Sequence, residues 1–311
     1  MKRRDFIRNS SAVAGTLALN FGGLRTALAS STLAVEKTPG LVAVMGGEPE
    51  VMLNKALDAL GGIGQFVKKG QKVVIKPNIG WDRTPEVAAN TNPELIGALI
   101  RKCLEAGAQK VTVFDHTCDN WQKCYASSGI EAAVKAAGGS IIPANEEEYY
   151  KQEITLPTGV TLKKAKIHNA LAEADVWFNV PVLKNHGGAK LSCAMKNYMG
   201  IIWDRRIFHQ NDLQQCIADI CTWPKKPVLN IVDAYRIMHQ NGPQGKSAAD
   251  AATVKSLIAS TDIVATDTAA LLFFNQVKKL DIHAVGHIGH GETLKLGTTN
   301  LEQLGVQRIK L

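Results

Sequence analysis

The stretch Lys72-Val73-Val74-Ile75-Lys76-Pro77-Asn78 sets a short β-branched run directly against a polar cluster, and Lys110-Val111-Thr112-Val113-Phe114-Asp115-His116-Thr117 repeats the arrangement. Apolar runs of this length bounded by turn residues read as buried strands. Between them Thr91-Asn92-Pro93 announces a helix running to Gly107, an asparagine cap followed by proline in the first turn. Strand, helix and strand in that order suit a parallel pair, because parallel strands need a long crossover and a helix supplies it.

The alternation persists outward from this unit. Leu41-Val42-Ala43-Val44-Met45 reads as a strand before a helix over residues 50–60, and a helix over residues 128–137 follows the second quoted strand. Ser140-Ile141-Ile142 and an acidic loop at Glu146-Glu147-Glu148 come next. Residues 175–180 and 228–232 read as buried strands, and residues 261–274 as a capped helix. Residues 154–167, broken by Pro157-Thr158-Gly159, read as a hairpin. The expectation is an α/β fold with a mainly parallel sheet flanked by helices and one antiparallel hairpin. No repeat, low-complexity tract or proline-rich linker marks a boundary, so residues 30–311 are expected to form a single α/β domain.

The amino terminus reads as an address. Lys2-Arg3-Arg4-Asp5-Phe6-Ile7-Arg8 pairs arginines before an apolar pair, residues 10–24 carry no charge, and Ala27-Leu28-Ala29 supplies small residues for cleavage. Residues 1–29 are therefore expected to be a cleaved twin-arginine signal, with the twin-arginine translocase as a partner and the periplasm as the destination. The run is too short and glycine-rich for a permanent membrane anchor. Its removal lowers the formal net charge from +8 to +4. No basic stripe of the kind that binds nucleic acid remains.

Six cysteines, Cys103, Cys118, Cys124, Cys193, Cys216 and Cys221, form no C-x-x-C pair. Core packing, disulfides, and metal or cluster ligation are the three uses open to them.

The polar clusters follow directly on expected strands: Lys76-Pro77-Asn78, Asp115-His116-Thr117, Lys184-Asn185-His186 and Asp233. In an open α/β sheet ligands lie outside the carboxyl ends of the strands, so the four clusters should converge. The segment Lys184-Asn185-His186-Gly187-Gly188-Ala189-Lys190-Leu191 reads as a flexible glycine loop feeding a helix over residues 191–199, whose free N–H groups would favour an anion. Lys196 and Asn197 sit inside that otherwise apolar helix, and a desolvated lysine there could serve as nucleophile or base.

With these residues quoted, the chain resembles the family known as domain of unknown function 362. The resemblance covers most of residues 70–290: Val74-Ile75-Lys76-Pro77-Asn78, Thr91-Asn92-Pro93, Ala174-Asp175, Asn179-Val180-Pro181 with Leu183-Lys184 and His186, Lys196-Asn197 with Gly200, Asp233, Gly242-Pro243 and Ala265-Thr266-Asp267. It implies a fold and a pocket, and ferredoxin-like motifs in many members imply redox metabolism. The C-x-x-C-x-x-C run is absent here. A more distant likeness, to the N-terminal domain of nickel-dependent lactate racemases, rests on the order of His116, His186 and Lys196, with Lys76 or Arg83 as the substrate-binding cation; it implies histidines acting as acid and base beside a lysine that holds a nickel cofactor.

The expected protein is an exported enzyme, cofactor- or metal-dependent, acting on an anionic small molecule by redox or acid–base chemistry. His116, His186 and Lys196 are the candidate catalytic residues. Lys76, Asn78, Lys184, Lys190 and Asn197 are candidate ligand contacts, and His116, His186, Asp233 and Asp267 candidate metal ligands. An iron–sulfur cluster, nickel or another metal are the candidate cofactors, and a redox protein a candidate partner. Two alternatives stand beside this: a non-catalytic periplasmic carrier or maturation protein, and a racemase- or epimerase-like enzyme using nickel.

Overall fold

β2 (Lys72–Pro77) and β3 (Lys110–Val113) pair in parallel, Val73 opposite Val111 and Ile75 opposite Val113, with the helix Pro93–Glu105 between them in sequence. That helix begins as its sequence dictates: Asn92 caps it by accepting a hydrogen bond from the Glu94 N–H at 3.0 Å, and Pro93 occupies the first turn. The computed structural model describes residues 38–311; the expected signal, residues 1–29, lies outside the described residues.

The central sheet runs β12-β1-β11-β10-β7-β2-β3-β4, built from β1 (Leu41–Met45), β4 (Ser140–Ile141), β7 (Val176–Val180), β10 (Leu229–Met238), β11 (Ala251–Ser260) and β12 (Val306–Lys310) around the pair above. β8 (Val182–His186) pairs β10 in parallel and folds back on β9 (Lys190–Ser192). Most pairings are parallel, and β11 runs antiparallel to both β1 and β10. The expected hairpin is separate from this sheet: β5 (Gln152–Thr155) and β6 (Lys164–Ile167) pair antiparallel, Ile154 opposite Ala165. Three N–H groups of its connection, from Val160, Thr161 and Leu162, are held by the buried carboxylate of Asp219 at 2.7–2.8 Å.

Alternation along the strands divides the apolar residues between two faces. Val73 and Ile75 join the cluster that includes Leu53, Leu57, Ile96 and Leu99 from the helices Pro49–Ala59 and Pro93–Glu105. Val74 and Trp177 face the other way, into a cluster with Ile217, Ile220, Leu271 and Phe274 from the helices Leu213–Ile220 and Ile263–Phe274. Each such aliphatic side chain contributes about 1.5–3 kcal/mol on full burial. Among the described residues no helix is long and apolar enough to cross a membrane.

One row on the second face is polar. Lys76 lies opposite Asn179, Asn179 opposite Asn230, and Asn230 opposite Ser260, each on a neighbouring strand. All four are buried. Asn179 Nδ2 donates to Asn230 Oδ1 at 2.8 Å, Asn230 Nδ2 to Ser260 O at 3.2 Å, and Ser260 Oγ to Gly40 O at 2.6 Å. The row leads to a cavity at the carboxyl ends of β2, β3 and β7.

Candidate functional site

Lys76 ends the polar row as a fully desolvated cation. It is 1% exposed, and its Nζ lies 2.8 Å from Asp115 Oδ1, itself 2% exposed, and donates to Asn197 Oδ1 and Pro77 O at 2.8 Å. Burial pulls the ammonium below its ordinary pKa while Asp115 opposes that pull. Removing one partner of such a pair costs about 3–5 kcal/mol, because the other charge is left buried and alone. Asn197 is spent as a bracket: its Nδ2 donates to Lys76 O and Asn179 Oδ1, and its Oδ1 accepts from Lys76 and Asn78. Gly200 must be glycine, since a Cβ there would stand 2.0 Å from Asp115 Oδ1 and 2.6 Å from Lys76 Nζ.

Around this pair opens a cavity of about 830 Å³ whose walls include Asn78, His116, Lys184, His186, Lys196 and Arg205. Three of the four strand-end clusters thus converge as expected. Lys184, 1% exposed, donates to Asn78 Oδ1 at 2.9 Å and to the Ala89 carbonyl, and burial together with the charge of Lys196 pushes it down to about 7. Lys196 is partly buried, its ammonium makes no hydrogen bond or ion pair among the described residues, and desolvation pushes it down to about 8.

The two histidines are fixed in opposite tautomers. His116 Nδ1 lies 3.0 Å from the Ile202 carbonyl, which can only accept, so Nδ1 carries the proton and Nε2 presents a lone pair. His186 Nδ1 accepts from the Ala189 N–H at 3.1 Å, so its proton is on Nε2. Desolvation pushes His116 down to about 4 and His186 to about 2, with Arg205 adding to the first and Lys196 and Lys184 to the second, so both rings are neutral at pH 7. The His116 ring stacks on Trp203 with centroids 5.3 Å apart and planes 3° from parallel. Arg205 straps the same loop, donating to His116 O at 2.9 Å and Thr117 O at 2.7 Å, with Cys118 Sγ 3.6 Å away.

The segment expected to be a glycine loop feeding a helix is built otherwise. Residues 187–189 turn a hairpin, with Lys184 opposite Ser192 and His186 opposite Lys190. A glycine pair serves a tight turn between strands as readily as a flexible loop, and only the segment after it, Ala189-Lys190-Leu191-Ser192, alternates as a strand does. The helix that follows is only Ala194–Asn197. Its first N–H groups do hold an anion, but the anion is the chain's own: Asp267 accepts from Ala194 at 2.7 Å and Met195 at 3.2 Å. Asp267 is therefore committed to the fold, and His287 Nε2 lies 3.6 Å from it in the core.

Asp233 is equally committed, accepting from the N–H groups of Asn92 at 2.7 Å and Tyr235 at 3.0 Å, and burial raises it to about 6. Neither Asp233 nor Asp267 lines the cavity, nor does Lys190, exposed with φ 67° at the hairpin, nor Arg83, which donates to Asp82 O. Among the described residues no three His, Cys, Asp or Glu side chains gather as a metal site. All six cysteines are free, and every one but Cys118 is buried. The donors present thus do not fit a directly ligated metal or an iron–sulfur cluster.

Sequence reasoning passed over the roles of Asp115, Trp203 and Arg205. Asp115 stood in a quoted cluster, but its pairing with Lys76 comes from adjacent strands. Trp203 and Arg205 reach the cavity through the turn after Tyr198–Ile201 and carried no local signal.

A second cavity, of about 370 Å³, is lined by Lys72 and Lys110 at the start of β2 and β3, with Tyr149, His168 and Glu173. Here His168 Nδ1 accepts from the Ala170 N–H and Nε2 faces the Pro143 carbonyl, both at 3.1 Å, while the ring stacks 4.0 Å from Phe114.

Residues 73–271 match the family described as domain of unknown function (DUF362). A thylakoid-associated protein of Synechocystis sp. is 24% identical over 258 residues, covering 80% of this chain and 76% of that protein. The lactate racemase apoprotein from Thermoanaerobacterium thermosaccharolyticum is a structural neighbour at 17% identity and a TM-score of 0.43, over 69% of this chain and 53% of that one.

Proposed function

The chain belongs to the family described as domain of unknown function 362, and we propose that it is an enzyme performing acid–base chemistry on an anionic small molecule held in the larger cavity. The observation that carries the reading is the pair of opposed tautomers: one cavity offers a lone pair at His116 Nε2 and an N–H at His186 Nε2, ringed by Lys184, Lys196 and Arg205. In this reading His116 Nε2 accepts a proton from the ligand. The Lys196 ammonium returns one, its lowered pKa suiting it to transfer near neutral pH. His186 and Lys184 donate hydrogen bonds to the oxygen on which charge develops; a neutral imidazole stabilises such charge without being a strong acid. Racemisation is the narrower form of this chemistry, favoured by the presence of two unlike proton carriers at one cavity.

The test is solvent exchange. The protein is incubated in deuterium oxide with a panel of hydroxy acids and phosphoesters, and proton NMR follows the C–H beside the anionic group. Exchange by the wild type that His116→Ala abolishes supports the enzyme, and exchange with inversion supports the racemase. Binding without any exchange supports the carrier instead.

The paired arginines support export as a further part of the proposal. Arg3→Lys together with Arg4→Lys should leave the protein in the cytoplasmic fraction; unchanged periplasmic recovery would remove the twin-arginine route.

A further inference from the structure

The charges facing the larger cavity do not balance. Lys76, Lys184, Lys196 and Arg205 all line it, and the interior carboxylate among them is Asp115, which is taken by Lys76. Lys184 has only the neutral acceptors Asn78 Oδ1 and Ala89 O. Arg205 spends its donors on the carbonyls of His116 and Thr117 and on the Cys118 sulfur. The Lys196 ammonium has no hydrogen-bonding partner among the described residues. The two other carboxylates of the wall are engaged elsewhere, Asp204 with Arg206 and Glu147 with Lys166. The three histidines of the wall, His116, His186 and His209, carry no negative charge in either protonation state, so they relieve nothing. Buried and half-buried cations without counter-charge are costly, and a site that keeps three of them together is complete only when a ligand brings the missing charge.

We propose that the cavity takes an organic anion carrying at least two negative charges, a phosphomonoester or a dicarboxylate, held between Lys184 and His186 of β8 and the His116 and Arg205 side chains that line the same cavity. The inference rests on the anion-site reading above and deepens it. A single carboxylate would leave two cations unanswered. Inorganic phosphate would fill little of about 830 Å³, whereas the partly exposed indoles of Trp81 and Trp203 and the thioether of Met199 offer apolar surface to a carbon skeleton. The arriving charge also favours the protonated form of Lys196, which stands at about 8 without it. Lys184, at about 7, responds in the same direction, so binding at pH 8 takes up about half a proton at Lys196 and up to about 0.9 at Lys184, and at pH 6 little at either.

Calorimetric titration of the full chain with glycerol 3-phosphate, succinate and propionate decides the matter, each run at pH 6 and pH 8 in two buffers of different ionisation heat. Glycerol 3-phosphate or succinate should bind at least about tenfold more tightly than propionate, since one added charge among close cations is worth that factor even in a screened site. The heat at pH 8 should depend on the buffer, and that dependence should shrink in Lys196→Met, with Lys184 supplying the remainder. Preference for the phosphoester over succinate, or the reverse, assigns the ligand class. Equal affinity for propionate, or dianion binding with buffer-independent heat at pH 8, overturns the inference and leaves an anion site standing. Failure of all three to bind overturns the anion-site reading as well. Arg205→Gln, at a partly exposed position, should weaken the dianion more than propionate and provides the check if buried-lysine variants fold poorly.

Discussion

The two cavities are furnished with similar residues, and they differ in what those residues have left to give. In the smaller one His168 commits both ring nitrogens to the backbone, stacks on Phe114, and caps the helix Asn169–Glu173. In the larger one His116 and His186 each commit a single nitrogen and leave Nε2 without a hydrogen bond among the described residues. The contrast separates a histidine that holds the fold from one available to a ligand better than residue type, burial or the presence of lysines does. Asp267 and Asp233 fall on the structural side by the same measure, because backbone N–H groups consume their oxygens.

Exchanging the roles of the histidines is the strongest way to break this comparison. His116→Ala should lower solvent exchange by about 10²–10⁴-fold, the usual worth of a positioned base, against a stability loss of only about 1–2 kcal/mol from its one hydrogen bond and its stack on Trp203. A variant that keeps full activity would end the base assignment. Gly200→Ala strikes the ion pair under the same cavity, and the loss should reach about 3–5 kcal/mol in denaturant unfolding as Lys76 and Asp115 separate. Gly289→Ala, with nothing within 4 Å of the added carbon, should be neutral or slightly stabilising. His168→Ala should cost about 2–3 kcal/mol through two lost hydrogen bonds and the stack, while anion binding at the other cavity stays intact. Lys190→Ala, at the exposed hairpin, should fall within about 0.5 kcal/mol and leave binding unchanged.

The pH dependence of stability sharpens the contrast. His116 and His186 are held at about 4 and about 2 against an ordinary 6.5, so the unfolded chain takes up protons below pH 6.5 that the folded chain refuses. Stability contributed by these residues is complete above pH 6.5 and declines as the pH falls from there through about 4. Tm measured from pH 7 to pH 4 should drop, and His186→Gln should shrink the drop.

Much of the frame was legible because parallel strands buried on both faces write themselves as short apolar runs, and because Asn92-Pro93 carries its own cap. The strand-end clusters at Lys76, His116 and Lys184 were legible for the same reason: polar residues directly after a buried strand have few places to go but the crevice. What the chain does not write locally is pairing. The hairpin of β8 with β9 was hidden by a glycine pair that suits a loop equally well. Asp267 stands out as a carboxylate in an apolar helix, but only the fold brings it to the N–H groups of Ala194 and Met195, where it fills the anion site expected for a ligand. Arg205 and Trp203 reach His116 across more than eighty residues, a distance no local pattern spans.

The protonation sites of His116 and His186 test the central claim most directly. Long-range proton–nitrogen NMR of the ring nitrogens should find His116 protonated at Nδ1 and His186 at Nε2, both neutral from pH 8 down to about pH 5. The same tautomer in both rings, or titration of either near pH 6.5, would contradict the account.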